Sequence, residues 1–190
     1  MIQQALQALV DELNAHFRVV FDLNESQGRA MLSAFVGPDG TVLTDTLNKL
    51  CVTLINIEPE STVRNAPAGR TTTEGEFGRL NPALRLNLKV LLAANFSDYT
   101  EALKFLSGTL ALFQRKNLLT AQNTPTLDRR VDRLILEMES TTAQEWSFLW
   151  GMLGSKYVPS VVYKVRLLTI QEGGVTQSLP VIGSLGQQTT

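Results

Sequence analysis

Apolar residues recur at three- and four-residue steps at the start of the chain. Ile2, Ala5, Leu6, Leu9, Val10, Leu13 and Phe17 alternate with Gln3, Gln4, Gln7, Asp11, Glu12 and Asn14. This spacing predicts an amphipathic helix over residues 1–17, whose apolar face needs a partner later in the chain or on another subunit. Residues 18–47 are less regular: Arg29 to Val36 reads as a strand, and Gly37-Pro38-Asp39-Gly40 as a turn, because proline presets φ and glycine supplies positive φ. Leu50 to Ile57 is β-branched and apolar on both faces, which suits an interior strand covered on both sides.

Residues 59–80 break the pattern, with Pro, Gly, Thr, Ser and Asn dominating and large apolar residues scarce. A structureless loop of this length in a compact domain is usually functional or disordered. Arg64, Arg70 and Arg79 lie in it beside Glu60, Glu74 and Glu76. Order then returns. Leu84, Leu86, Leu88, Val90 and Leu92 alternate with Arg85, Asn87, Lys89 and Leu91, predicting a strand. Ser97 or Asp98 caps a second helix running to about Gln114, with Ala102, Phe105, Leu106, Leu110 and Phe113 on its apolar side.

Past a polar loop, Leu134 to Met138 reads as a short strand. Thr142, with Glu145 at capping-box spacing, opens a third helix. Its apolar stripe is Trp146, Leu149, Trp150 and Leu153, and Gly154 is placed to end it. Pro159 opens a last long strand through Tyr163, Val165 and Leu167, and Gly173-Gly174 stops it. A Gln/Thr/Gly/Ser tail follows over 175–190, with Val175, Leu179, Val181, Ile182 and Leu185 as its apolar members. Strands alternating with helices predict an α/β (α+β) fold: a mixed β-sheet of about four to five strands flanked by amphipathic helices.

Composition narrows the function. The chain has 190 residues, 44% hydrophobic and 18% charged, with a net charge of −1. That is one domain's worth of sequence with enough apolar material for a core. A nearly neutral balance argues against a broad phosphate-binding surface, hence against nucleic acid. The single cysteine, Cys51, excludes an intrachain disulfide and a Cys-rich zinc site, and the single histidine, His16, excludes two-histidine metal motifs. No membrane-spanning run and no secretion signal are read in the sequence.

Candidate chemistry is thin. Cys51 with His16 would need a third orienting group that the sequence does not supply. A serine nucleophile would have to use the same histidine, at the end of an amphipathic helix. Glu137 and Glu139 share one strand face, and Asp128 and Asp132 flank Arg129, Arg130 and Arg133. Their simplest role is surface ion pairing, because only burial would raise a carboxylate's pKa. Trp146 and Trp150, four apart on one helix face, suit packing on the sheet better than a ligand cage. The sparse apolar residues Val181, Ile182 and Leu185 of the tail suit strand addition to a neighbour.

A longer series of motifs points elsewhere. Asn81-Pro82 is followed by Leu84-Arg85-Leu86-Asn87-Leu88 and by Ala93-Ala94-Asn95-Phe96-Ser97-Asp98-Tyr99. Glu101-Ala102-Leu103, Gln122-Asn123-Thr124-Pro125 and Leu149-Trp150-Gly151-Met152-Leu153-Gly154 come next, then the run from Lys156-Tyr157-Val158-Pro159 to Arg166. In this order, over residues 1–172, the chain resembles the cap, or tail-terminator, proteins of phage-tail-like extracellular contractile injection systems of the antifeeding-prophage and virulence-cassette type.

The resemblance implies a single tail-terminator-like domain over 1–172 and a C-terminal extension over 173–190. It implies a non-enzymatic, structural role without cofactor: a six-fold ring ending the inner tube and sheath distal to the baseplate. The implied partners are further copies of the chain and the tube and sheath subunits, with no nucleic acid and no membrane. The implied location is the bacterial cytoplasm during assembly, within a particle compatible with later release. On this reading Arg64, Arg70 and Arg79 of the 59–80 arm contact the tube or sheath end, and Val181, Ile182 and Leu185 join the assembly interface. The alternative reading is a non-enzymatic adaptor using the same arms.

Overall fold

The computed structural model describes residues 1–24, 28–37, 40–41, 43–60, 69–71, 76–80, 85–169 and 175–180. The first helix, α1 (Ile2–Phe21), runs four residues past the predicted Phe17 end. It buries Ala5, Leu6, Ala8, Leu9, Val10, Leu13 and Phe17, the apolar face read from the sequence. Asp22 ends it in the left-handed conformation, at φ 49°.

A six-stranded sheet forms the centre, in the order β1-β2-β5-β8-β7-β6. Its strands are β1 (Ala30–Leu32), β2 (Lys49–Pro59), β5 (Arg85–Asn95), β6 (Leu118–Thr120), β7 (Val131–Glu139) and β8 (Ser160–Thr169). β1 pairs with β2 in parallel and every other pair is antiparallel, so the sheet is mixed. It exceeds the expected four to five strands because Leu118–Thr120, too short to show a period, adds one beside the segments read from the sequence. The β1 edge is held by a side chain acting as a strand: Asn14 of α1 accepts from the Arg29 and Ala30 N–H groups (2.9 and 2.8 Å) and donates to the Ala30 carbonyl at 3.0 Å.

Two helices cover one face. α1 and α2 (Tyr99–Arg115) pack on Leu50, Val52, Leu88, Val90, Leu92, Tyr163, Val165 and Leu167. Asp98 caps α2 by accepting from the Thr100 N–H at 2.9 Å. The two helices approach closely at Gly108, where a Cβ would lie 3.0 Å from Phe21 Cζ and 3.3 Å from Phe17 Cε1. A larger residue there would push the helices apart.

The third helix, α3 (Ala143–Leu153), lies on the opposite face. Its Trp150 is buried with Phe35, Cys51, Leu91, Ala93 and Val162, and Trp146, Leu149 and Leu153 pack around them. Both ends match the sequence reading. The Glu145 N–H donates to the Thr142 hydroxyl while the Glu145 carboxylate accepts from the Thr142 N–H at 2.7 Å. Gly154 closes the helix at φ 66°. Thr142→Ala is expected to cost about 1 kcal/mol, measurable as a lowered urea midpoint.

A second, three-stranded antiparallel sheet comprises β3 (Gly69–Thr71), β4 (Glu76–Leu80) and β9 (Val175–Pro180), in the order β3-β4-β9. The segment expected to be irregular over 59–80 therefore supplies the last residue of β2 and two strands, and the expected tail supplies a third. Each small-sheet strand is the chain neighbour of one of three adjacent large-sheet strands: β2 leads to β3, β4 to β5, and β8 to β9. The order is the same in both sheets. The three links leave from one end of the large sheet, where Pro59 pairs with Leu86 and Arg85 with Leu168.

Candidate assembly surface

The side chains singled out for chemistry do not converge. Cys51 is fully buried on the α3 face, and its thiol points at the Thr46 carbonyl, 3.9 Å away. His16 sits on α1, which covers the other face. Burial and the nearby Arg115 charge lower its pKa, against a backbone hydrogen bond with Gly108 that raises it. With the sheet between them, the two cannot form a nucleophile–base pair. Burial pushes the Cys51 thiol up to about 12, with Lys49 opposing. We therefore expect Cys51 to resist alkylation at pH 8 in the folded protein and to react at once in denaturant, because the thiolate is the nucleophile. Rapid modification of the native protein would contradict this placement.

The carboxylates are paired; Glu137 is exposed, whereas Glu139, Asp128 and Asp132 are half-buried. Glu137 meets Arg166 at 2.8 Å across β7 and β8, and Glu139 meets Lys89 at 3.4 Å. Lys89 also reaches Glu58, at 3.8 Å. These groups, three acids and two bases, link β2, β5, β7 and β8, and Lys89 and Glu139 lie beside Glu145 and Leu149 of α3. Asp128 grips Arg130 with both oxygens (3.1 and 2.8 Å), which holds its carboxyl well below the usual carboxylate range. Asp132 pairs with Arg133 at 2.7 Å. Surface pairs of this kind contribute little stability each. Among the described residues, no three His, Cys, Asp or Glu side chains gather as a metal site, and no helix is long and apolar enough to cross a membrane.

The residues proposed for assembly separate into two groups. Arg70 is on β3, where it pairs with Gly78, and Arg79 is on β4, between Gly69 and Gln177. The structure thus brings these two arginines into one small sheet. Arg64, Val181, Ile182 and Leu185 lie outside the described residues.

Two apolar surfaces escaped the sequence reading. On α3, Phe148 and Met152 are each 69% exposed, on the side away from the sheet, and Tyr157 just beyond is exposed too. The signal was present: from Ala143 to Gly154 the helix carries one charge, Glu145, so it is apolar nearly all round. Helices of that kind are normally buried on every side. On the opposite face, α2 and the β7 edge enclose a groove of about 550 Å³ lined by Leu110, Phe113, Leu136, Met138 and Tyr163. Gln114 and Asn117 complete its wall, so no charged side chain lines it. No sequence window reveals this groove, because its walls come from three separate elements.

Comparison with known proteins places this geometry. The structure superposes on the sheath/tube terminator of the PVC extracellular contractile injection system in its extended state, with a TM-score of 0.65 and 14% identity, over 100% of this chain and 63% of that one. It also superposes on the tube-terminating cap of the anti-feeding prophage, with a TM-score of 0.60 and 14% identity, over 94% of this chain and 59% of that one. The chain thus spans less than two thirds of the length of either. No curated protein matches it in sequence. The family model for the Pvc16 N-terminal domain matches residues 4–184, across both sheets and all three helices, and the chain belongs to that family.

Proposed function

We propose that this chain is a structural cap that ends the inner tube and sheath of a contractile injection particle, at the end distal to the baseplate. The observation that carries the reading is the superposition of the whole chain on a sheath/tube terminator. A growing tube presents unfilled subunit-binding surfaces at its end. A ring that matches those surfaces on one side, and does not repeat them on the other, stops addition. Closing such a ring takes a heterologous interface whose rotation returns to the start. Six copies would match a six-fold tube.

The chain acts in this reading by binding, not by catalysis. Its candidate acids Glu137 and Glu139 are ion-paired, and its cysteine and histidine are kept apart by the sheet. The small sheet carrying Arg70 and Arg79 is the part we assign to the tube or sheath end, together with Arg64. Val181, Ile182 and Leu185, next after β9, are assigned to the same assembly interface. Assembly takes place in the producing cell's cytoplasm, and the cap leaves with the particle if the particle is released.

The test is the native mass of the purified protein, alone and with purified tube ends, followed by negative-stain imaging. A hexameric ring, free or formed only on a tube end, is the expected result. A persistent monomer that ignores tube ends would overturn the cap and favour an adaptor.

A further inference from the structure

The two apolar surfaces of this chain are matched to each other but cannot meet within one molecule. Phe148 and Met152 stand one helical turn apart on the outer side of α3, four residues from each other and therefore on one stripe. The groove between α2 and β7 is on the far side of the sheet, formed by the strand face that α1 and α2 cover. A cavity of about 150 Å³ accepts a benzene-sized ring, so a groove of about 550 Å³ has room for a phenyl ring and a thioether side by side. Neither surface presents an ion: the groove has no charged lining, and the one charge of α3, Glu145, is engaged at its N-cap by Thr142. Joining them strands no unpaired charge, which is the usual penalty of a wrong partner.

We propose that α3 of one copy, led by Phe148 and Met152, seats in the α2–β7 groove of the next copy. This is helix-in-groove recognition with anchors at i and i+4. The knob and the groove lie on opposite faces of one sheet, so the contact is front to back. It leaves an open groove at one end of any chain of copies and an open knob at the other, as a closing ring requires. The inference rests on the cap reading and names the copy-to-copy contact within it.

Two charge-introducing variants test it, Phe148→Asp on the knob and Met138→Asp in the groove. Both positions are exposed, so both variants should keep the wild-type melting temperature. Phe148→Leu, which keeps the knob apolar, should associate like the wild type. Each aspartate variant alone should associate more than about tenfold more weakly. A mixture of the two should form heterodimers and stop there, because one intact knob then meets one intact groove. Sedimentation and native mass spectrometry read this out in solution, and the same variants are assayed for capping of tube ends.

If the wild type associates, or caps tube ends, and both variants do so equally well, the inference falls and the cap reading stands. If Phe148→Asp loses tube-end binding but self-associates normally, α3 meets a tube or sheath subunit, and the inference again falls. A wild type that neither associates nor caps overturns both.

Discussion

Phe105→Ala should cost the domain about 3–5 kcal/mol, the largest loss we expect from one side chain. Phe105 is almost wholly buried and is the hub of an aromatic cluster that ties α1, α2 and the end of β5 together. Its ring stacks on Phe96 at 4.7 Å and meets Phe21 and Phe17 edge-on at 4.8 and 5.0 Å. Truncation removes the transfer energy of the ring and leaves a cavity. The neighbouring rings cannot simply collapse into it, because they are anchored off α2, Phe17 and Phe21 on α1 and Phe96 just after β5. Against a total stability of about 5–15 kcal/mol, the variant should be marginal at 37 °C. Urea unfolding at 25 °C measures it as a fall in midpoint with unchanged slope. Phe148→Ala is the matched control: the same truncation at a 69% exposed site should change stability by less than about 0.5 kcal/mol. A loss below about 1 kcal/mol for Phe105→Ala would mean that α1 and α2 are not locked through this cluster.

Deleting residues 61–78 should abolish capping while the six-stranded sheet still folds. The deletion removes β3, three of the five residues of β4, Arg64 and Arg70, and leaves every strand of the large sheet intact. Among the described residues, the main core draws on α1, α2 and the large sheet. The expected particles have tubes of uncontrolled length, visible by negative stain, while the purified variant keeps a cooperative thermal transition. Normal-length particles would sink the assignment of this segment to the tube or sheath end. A gentler variant separates charge from backbone. Arg64→Glu, Arg70→Glu and Arg79→Glu together should weaken tube-end binding and reverse its salt dependence if the arginines meet an acidic rim.

The helices were legible because each carries its own instructions. The α1 stripe from Ala5 to Phe17, the Thr142–Glu145 capping box and the αL residue Gly154 are local signals within one or two turns, and all three recur in the structure. The long strands were legible for the same reason, since Leu88, Val90 and Leu92 show their period without reference to a partner. The short strands were not. Gly69–Thr71, Glu76–Leu80 and Val175–Pro180 have little apolar material and no clean alternation. They become strands by pairing with one another, Leu80 with Val175 for instance, across 95 positions of sequence. Backbone pairing of this kind depends on where the large sheet delivers the chain ends, which no local window contains.

The sequence alone therefore determined the three helices with the ends of α2 and α3, the long strands, the apolar faces and, through a series of motifs spread over the chain, the family. It also determined the scarcity of catalytic groups, because one cysteine and one histidine can be counted before anything folds. Tertiary structure alone decided which groups meet. It put the sheet between Cys51 and His16, closed Glu137 and Glu139 into ion pairs, and paired β3, β4 and β9 in the order of their chain neighbours β2, β5 and β8. It also left a knob on one face and a groove on the other. The physical reason is range: propensity, capping and periodicity act over a few residues, whereas burial, ion pairing and sheet edges depend on the distance between residues far apart in the chain.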